Sequence, residues 1–149
     1  MDEDKLNHCL AVSKKMVEIG KNNNLNEQEL EDLFLLGFNH DIGYGIGNIE
    51  DHCIKGGLLL KRNGYKYWQE VYYHGTPNCK YQSKFLTILN IADKSIDKYG
   101  NDVGFKKRLE DILTRYGNDS IQYKDAKLLI EELKNKEILW KKEWIKKKY

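Results

Sequence analysis

The stretch QSKFLTILNIADKSIDK, residues 82 to 98, carries Phe85, Leu86, Ile88, Leu89, Ile91, Ala92 and Ile96 and leaves almost no polar face around Asp93. Its length and lack of strict alternation fit a helix rather than a strand, and a helix apolar on every side is buried among other elements. A carboxylate inside such a helix needs compensation, because an unpaired buried charge costs several kcal/mol. This one segment therefore predicts a buried helix in which Asp93 needs an explanation, either pairing with Lys94 or an arginine or serving as a metal ligand.

Working outward, turn-forming clusters fall at residues 22–26, 43–48, 63–64, 74–78, 99–102 and 116–120, and the chain has a single proline, Pro77. The segments between them run mostly 10 to 18 residues, a helical length. The first spans about 3–21, with Ala11, Val12, Met16 and Ile19 forming one stripe with His8. The second places Leu30, Leu33, Phe34, Gly37 and Asp41 on one face. A third begins near Ile49, a fourth covers Lys66 to Tyr73, the fifth is Gln82 to Lys98, and the last two cover 103–116 and 121–147. The expected fold is all-α, about seven helices in a single domain over residues 1–149.

Composition sets the outer limits. With 40% apolar and 32% charged residues, the chain belongs with soluble globular proteins rather than disordered or membrane ones. No apolar run is long enough to span a bilayer and the start, MDEDKLNH, does not resemble a signal peptide, so a cytoplasmic location is expected. Cys9, Cys53 and Cys79 form an odd set without CxxC spacing, which indicates reduced thiols rather than a disulfide framework or zinc ribbon. A net charge of +2 does not call for a nucleic-acid partner, although residues 120–149 hold nine lysines against five acids. In that tail Trp140 and Trp144 stand at i, i+4 spacing, which reads as an amphipathic helix docked on the domain in preference to a membrane or nucleic-acid contact.

All four histidines, His8, His40, His52 and His74, lie in or beside helix ends or apolar faces, and Asp41 and Asp93 share that setting. Taken singly, a histidine on an apolar face is more often a satisfied core residue than a ligand. Together the six offer nitrogen and oxygen donors suited to Fe, Mn, Co, Ni or Zn, with Mg as a further option. Adjacent His40 and Asp41 can reach one ion if the helix ends there, since a loosened last turn and Gly43 relax the 100° between successive side chains. Cys9 and Cys53 each follow a candidate ligand and are expected to point elsewhere, into the core. The alternating Gly43, Gly45 and Gly47 lack GxGxxG spacing and a preceding strand, so they read as a flexible turn rather than a phosphate loop. In RLEDILTRYG, Leu109, Ile112 and Leu113 read as core, and Arg108 and Arg115 as surface.

The order His8, His40-Asp41, Asp93, carried by LNHCLAVSKKM, LFLLGFNHDIG and ILNIADKSID, resembles the HD superfamily of metal-dependent phosphohydrolases. DHCIKGG and VYYHG resemble the additional histidines of its binuclear branches, so the resemblance covers about residues 6–97. It implies an HD-type domain with its metal site within that span and the helices of 103–149 packed upon it. It also implies one divalent transition metal held by His8, His40, Asp41 and Asp93, and in a binuclear form a second ion on Asp41, His52 and His74. His40, Asp41 and Asp93 would form the catalytic centre. A metal lowers the pKa of bound water, so that hydroxide is available near neutral pH, and offsets phosphoryl charge. The implied activity is hydrolysis of a phosphomonoester, phosphodiester or phosphoanhydride in a small phosphorylated metabolite, with a nucleotide as first choice.

One position departs from the family pattern: Tyr44 follows HDIG where many members carry lysine, which leaves Lys55 and Lys94, with Tyr44 itself, as candidates to face phosphate. The cyclic-dinucleotide branch with its GYP motif is not matched, whereas the set of histidines is similar to that of the branch cleaving dinucleoside tetraphosphates. The alternative is a noncatalytic HD-type module that binds metal or nucleotide and regulates.

Overall fold

The computed structural model describes residues 2–45 and 52–136. It is all-α: seven helices, α1 Glu3–Asn22, α2 Glu27–Asn39, α3 His52–Arg62, α4 Trp68–Tyr73, α5 Lys84–Asp93, α6 Gly104–Tyr116 and α7 Ile121–Lys134, with a short 3-10 turn at Ile42–Gly45. No strand forms among the described residues, where the sole β-type pairing is the isolated bridge of Ile96 and Asp102. None of these helices is long and apolar enough to cross a membrane.

Local chemistry sets the helix starts. Asp2, Asn26, Ser83 and Ser120 each accept a hydrogen bond from a backbone N–H three residues on, and Asn26 and Glu29 form a reciprocal capping box. Helix α5 is buried continuously from Phe85 to Asp93 and packs against α1, α2, α4 and α7, as its apolar circumference requires. Val12, Met16 and Ile19 of α1 and Leu33 and Leu36 of α2 close the core around Ile88, Leu89 and Ile91. Gly37 lets α1 and α2 meet closely, since a Cβ there would stand 2.8 Å from the Ser13 Cα.

Several boundaries differ from the sequence reading. Helix α5 stops at Asp93, not Lys98: the Asp97 carboxylate accepts the N–H groups of Tyr99 and Asn101, and this local turn competes with further helix. Helix α4 starts at Trp68, and α7 ends at Lys134 with Asn135 as its cap. The expected start of the third helix near Ile49 and the tail carrying Trp140 and Trp144 lie outside the described residues. Arg108 is not a surface residue. It is buried, with Nε donating to the Asp93 carbonyl at 3.2 Å, so a cation meets the C-terminal end of α5.

Candidate metal centre

Five helices bring side chains to one point, four of them from a helix end. His8 comes from the first half of α1, His40 is the C-cap of α2, His52 opens α3, His74 is the C-cap of α4 and Asp93 is the last residue of α5. Asp41 lies in the turn between α2 and the 3-10 segment, and although His40 keeps helical backbone angles, φ −62° and ψ −29°, rather than the loosened turn expected, both side chains reach the same point. Gly43 has a stricter reason than flexibility. A Cβ there would lie 1.8 Å from the His52 carbonyl oxygen, so glycine lets the start of α3 press against this turn.

Asp41 is the centre of the cluster. Its Oδ2 faces His40 Nε2 at 3.2 Å and His8 Nε2 at 3.6 Å, while Oδ1 faces His52 Nε2 at 3.3 Å and His74 Nε2 at 3.5 Å. Asp93 Oδ1 joins the first pair, 3.0 Å from His8 Nε2 and 3.3 Å from His40 Nε2. His8, His40, Asp41 and Asp93 thus form one buried set of donors, and His52, His74 and Cys53 form a second.

The far sides of the rings fix their roles. Nδ1 of His8 contacts the Asp97 carbonyl at 2.8 Å, Nδ1 of His40 the Gly37 carbonyl at 2.6 Å and Nδ1 of His74 the Val71 carbonyl at 2.6 Å. A carbonyl accepts only, so each Nδ1 carries hydrogen and donates, and in the neutral ring the Nε2 lone pair is directed inward, the arrangement that orients metal-ligating histidines. Lone pairs then face carboxylate oxygens, a repulsive array unless cations lie among them. His40 Nε2 is fully enclosed and has no hydrogen-bond partner despite its close carboxylates. Moreover, ligand bonds of about 2.0–2.3 Å put neighbouring donors of a four-coordinate ion roughly 3.3–3.8 Å apart. The separations around both oxygens of Asp41 match that spacing better than they match hydrogen bonds. The residues present fit divalent ions.

Without metal, protons supply the positive charge. Burial pushes the His40 imidazole down, but the Asp41 charge and the two close carboxylates outweigh it and raise His40 to about 10. His74 rises to about 10 against the same burial, through Cys53 and Asp41, and His52 to about 9, through Asp41 and Cys53. Burial works against both carboxylates as well. Asp41 is nevertheless held well below the usual range by the His40 charge and by contacts from His40, His52 and His74, and Asp93 by Lys94, His40 and His8.

Two residues missed by the sequence reading belong here. Lys5 Nζ lies 3.0 Å from Asp41 Oδ2 and 3.7 Å over the centre of the Tyr44 ring, which itself stacks on His52 at 4.1 Å. Its signal was its position three residues before His8, on the same helical face. Cys53 does not turn into the core as expected: Sγ lies 3.3 Å from His52 Nε2 and 3.5 Å from His74 Nε2. The two-residue logic applied to His40-Asp41 at a helix end applies equally to His52-Cys53 at a helix start. Of the phosphate candidates, Lys94 sits 3.5 Å from Asp93 Oδ2 and Tyr44 flanks His52, whereas among the described residues no polar contact joins Lys55 to the cluster. Lys5 and His52 keep 24% and 19% of their side-chain surface exposed, against 2% or less for His8, His40 and His74, so the cluster faces solvent on the Lys5–Tyr44–His52 side.

Compared with protein-family profiles, curated proteins and solved structures, the chain matches none of them. What stands on its own geometry is a buried histidine and aspartate cluster able to hold metal.

Proposed function

We propose that the chain is a metal-dependent phosphohydrolase of the HD type, acting on a small phosphorylated metabolite and, first among these, a nucleotide. The observation that carries this reading is Asp41, whose two oxygens each face a different histidine pair. His8, His40, Asp41 Oδ2 and Asp93 would hold one divalent ion, and His52, His74 and Asp41 Oδ1 a second. Ions so held supply hydroxide near neutral pH and offset charge on phosphoryl oxygens.

The chain's own residues account for the rest. Lys5, partly exposed at the mouth, is placed to receive a phosphate oxygen, with the Tyr44 face steadying its ammonium group. The cation that the HDIGY run lacks thus comes from α1. Tyr44 itself stays protonated, since burial and the nearby Asp41 push its phenol far up, and it can donate a hydrogen bond. Lys94 neutralises Asp93 beside the first set of donors. The carbonyls of Asp97, Gly37 and Val71 keep three imidazoles oriented while substrate enters and leaves.

The alternative, a noncatalytic module that binds metal or nucleotide, is favoured by one feature: Lys5 already neutralises Asp41 in an ion pair. A chromatographic screen that resolves the hydrolysis products of nucleotides and dinucleoside polyphosphates, run with the metal-reconstituted protein, separates the two. The phosphohydrolase reading requires turnover that disappears, together with bound metal, in Asp41→Ala. An active, metal-free Asp41→Ala would sink it, and nucleotide-dependent thermal stabilisation without turnover would select the binding module.

A further inference from the structure

We infer that Cys53 is a ligand of the second ion, so that His52, His74, Cys53 and Asp41 Oδ1 form a mixed imidazole, thiolate and carboxylate site for zinc, cobalt or ferrous iron rather than magnesium. The inference rests on the reading that the cluster binds metal, and it changes which metal the second position takes. Sulfur ligands favour softer ions, whereas oxygen-rich sites suit magnesium and manganese.

Three observations meet at the sulfur. First, Sγ is close to both ring nitrogens that face Asp41 Oδ1, at 3.3 and 3.5 Å. Those values lie in the span of roughly 3.3–3.8 Å between neighbouring donors around an ion with the bond lengths of zinc. Second, His74 donates from Nδ1 to the Val71 carbonyl, so that once its ring is neutral, as metal binding requires, Nε2 faces Sγ as a lone pair. A thiol has one proton, and Sγ also lies 3.5 Å from the His74 carbonyl oxygen, so that proton does not satisfy both rings and the carbonyl. Third, Cys53 occupies the first turn of α3, the positive end of the helix dipole, which favours an anionic sulfur. The other cysteines lack this setting. Cys9 is fully buried on α1 and its thiol is pushed up to about 12 by burial, while Cys79 lies outside both groups of donors.

Cobalt(II) provides the test, since it fits sites of this kind and reports thiolate ligation directly. Apo protein is titrated with cobalt under argon, following the visible ligand-field bands and the near-ultraviolet sulfur-to-cobalt charge-transfer band, for wild type, Cys53→Ala and Cys79→Ala. The expected result is a charge-transfer band that grows with the second equivalent, persists in Cys79→Ala and is lost in Cys53→Ala. Circular dichroism checks that each variant is folded, and Cys53→Ala should keep the ligand-field bands of the first ion. Two equivalents bound by wild type without a charge-transfer band would overturn the assignment of Cys53 while leaving the metal reading intact. Absence of ligand-field bands at any cobalt concentration would overturn both.

Discussion

Replacing Asp41 by asparagine keeps its shape and removes its charge. The carboxylate is within 3.2–3.6 Å of the Nε2 of every histidine in the chain, so both sets of donors lose their shared oxygen ligand at once. An amide also turns N–H hydrogens toward one histidine pair, where a cation would sit. At free metal one hundred times the dissociation constant, one filled site stabilises the wild-type fold by about 2.7 kcal/mol. For a chain of this size each kcal/mol shifts the midpoint by about 2–4 °C, so metal should raise the wild-type Tm by roughly 5–11 °C. In Asp41→Asn the shift should fall to about 1 °C or less at the same concentration. The variant should still fold above neutral pH, because His40, His52 and His74 can shed protons rather than remain as unpaired charges. The assay is thermal unfolding of chelator-stripped protein with and without zinc or cobalt, paired with metal content per chain. A folded Asp41→Asn protein with the full wild-type metal shift would refute the bridging role.

Two further outcomes follow from the mouth and floor of the site. Lys5→Ala should leave metal content intact and raise KM for a phosphorylated substrate roughly 10- to 100-fold, the range expected for losing a hydrogen bond to a charged group; an unchanged KM would remove Lys5 from substrate binding. Gly43→Ala forces a Cβ into the His52 carbonyl, so it should cost about 1–3 kcal/mol in urea unfolding and weaken the second ion more than the first.

Legibility in the sequence differed from residue to residue for physical reasons. Helix α5 was readable because an apolar circumference has one stable location, and Asp93 stood out against it. The His40-Asp41 pair was readable because Gly43 marked a helix end. The end of α5 was not: Ile96 continues the apolar pattern and is buried, but the Asp97 turn, set by backbone hydrogen bonds, wins over periodicity. Arg108 misled because helical spacing places it beside the core without revealing that a carbonyl waits there. Lys5 is one of many lysines on amphipathic helices, and its role depends on Tyr44 approaching from another segment. Cys53 required knowing that α3 starts beside the end of α4, a tertiary fact.

The placement of the carboxylates has a consequence for pH. Asp41 follows the C-terminus of α2 and Asp93 ends α5, where the helix dipoles favour cations and disfavour acids. The fold tolerates them because positive charge is held nearby, as protons in the metal-free state and, on the reading proposed, as metal ions in the loaded one. Each histidine raised from its ordinary 6.5 contributes stability that is fully present below pH 6.5. That contribution is lost as pH rises through about 9 for His52 and about 10 for His40 and His74. The depressed carboxylates act oppositely: their contribution is present above their ordinary 3.8 and is lost as pH falls through their lower folded values. Metal must displace the histidine protons, so between pH 6.5 and 9 its apparent affinity should climb about tenfold per pH unit for each proton released. Over that interval the metal-free Tm should decline while the metal-induced shift at fixed total metal grows. Calorimetric titrations in buffers of different ionisation enthalpy count the released protons. A metal affinity that is flat across the interval, with no proton release, would mean that the imidazoles are already neutral and that the cluster is held together by something other than exchangeable positive charge.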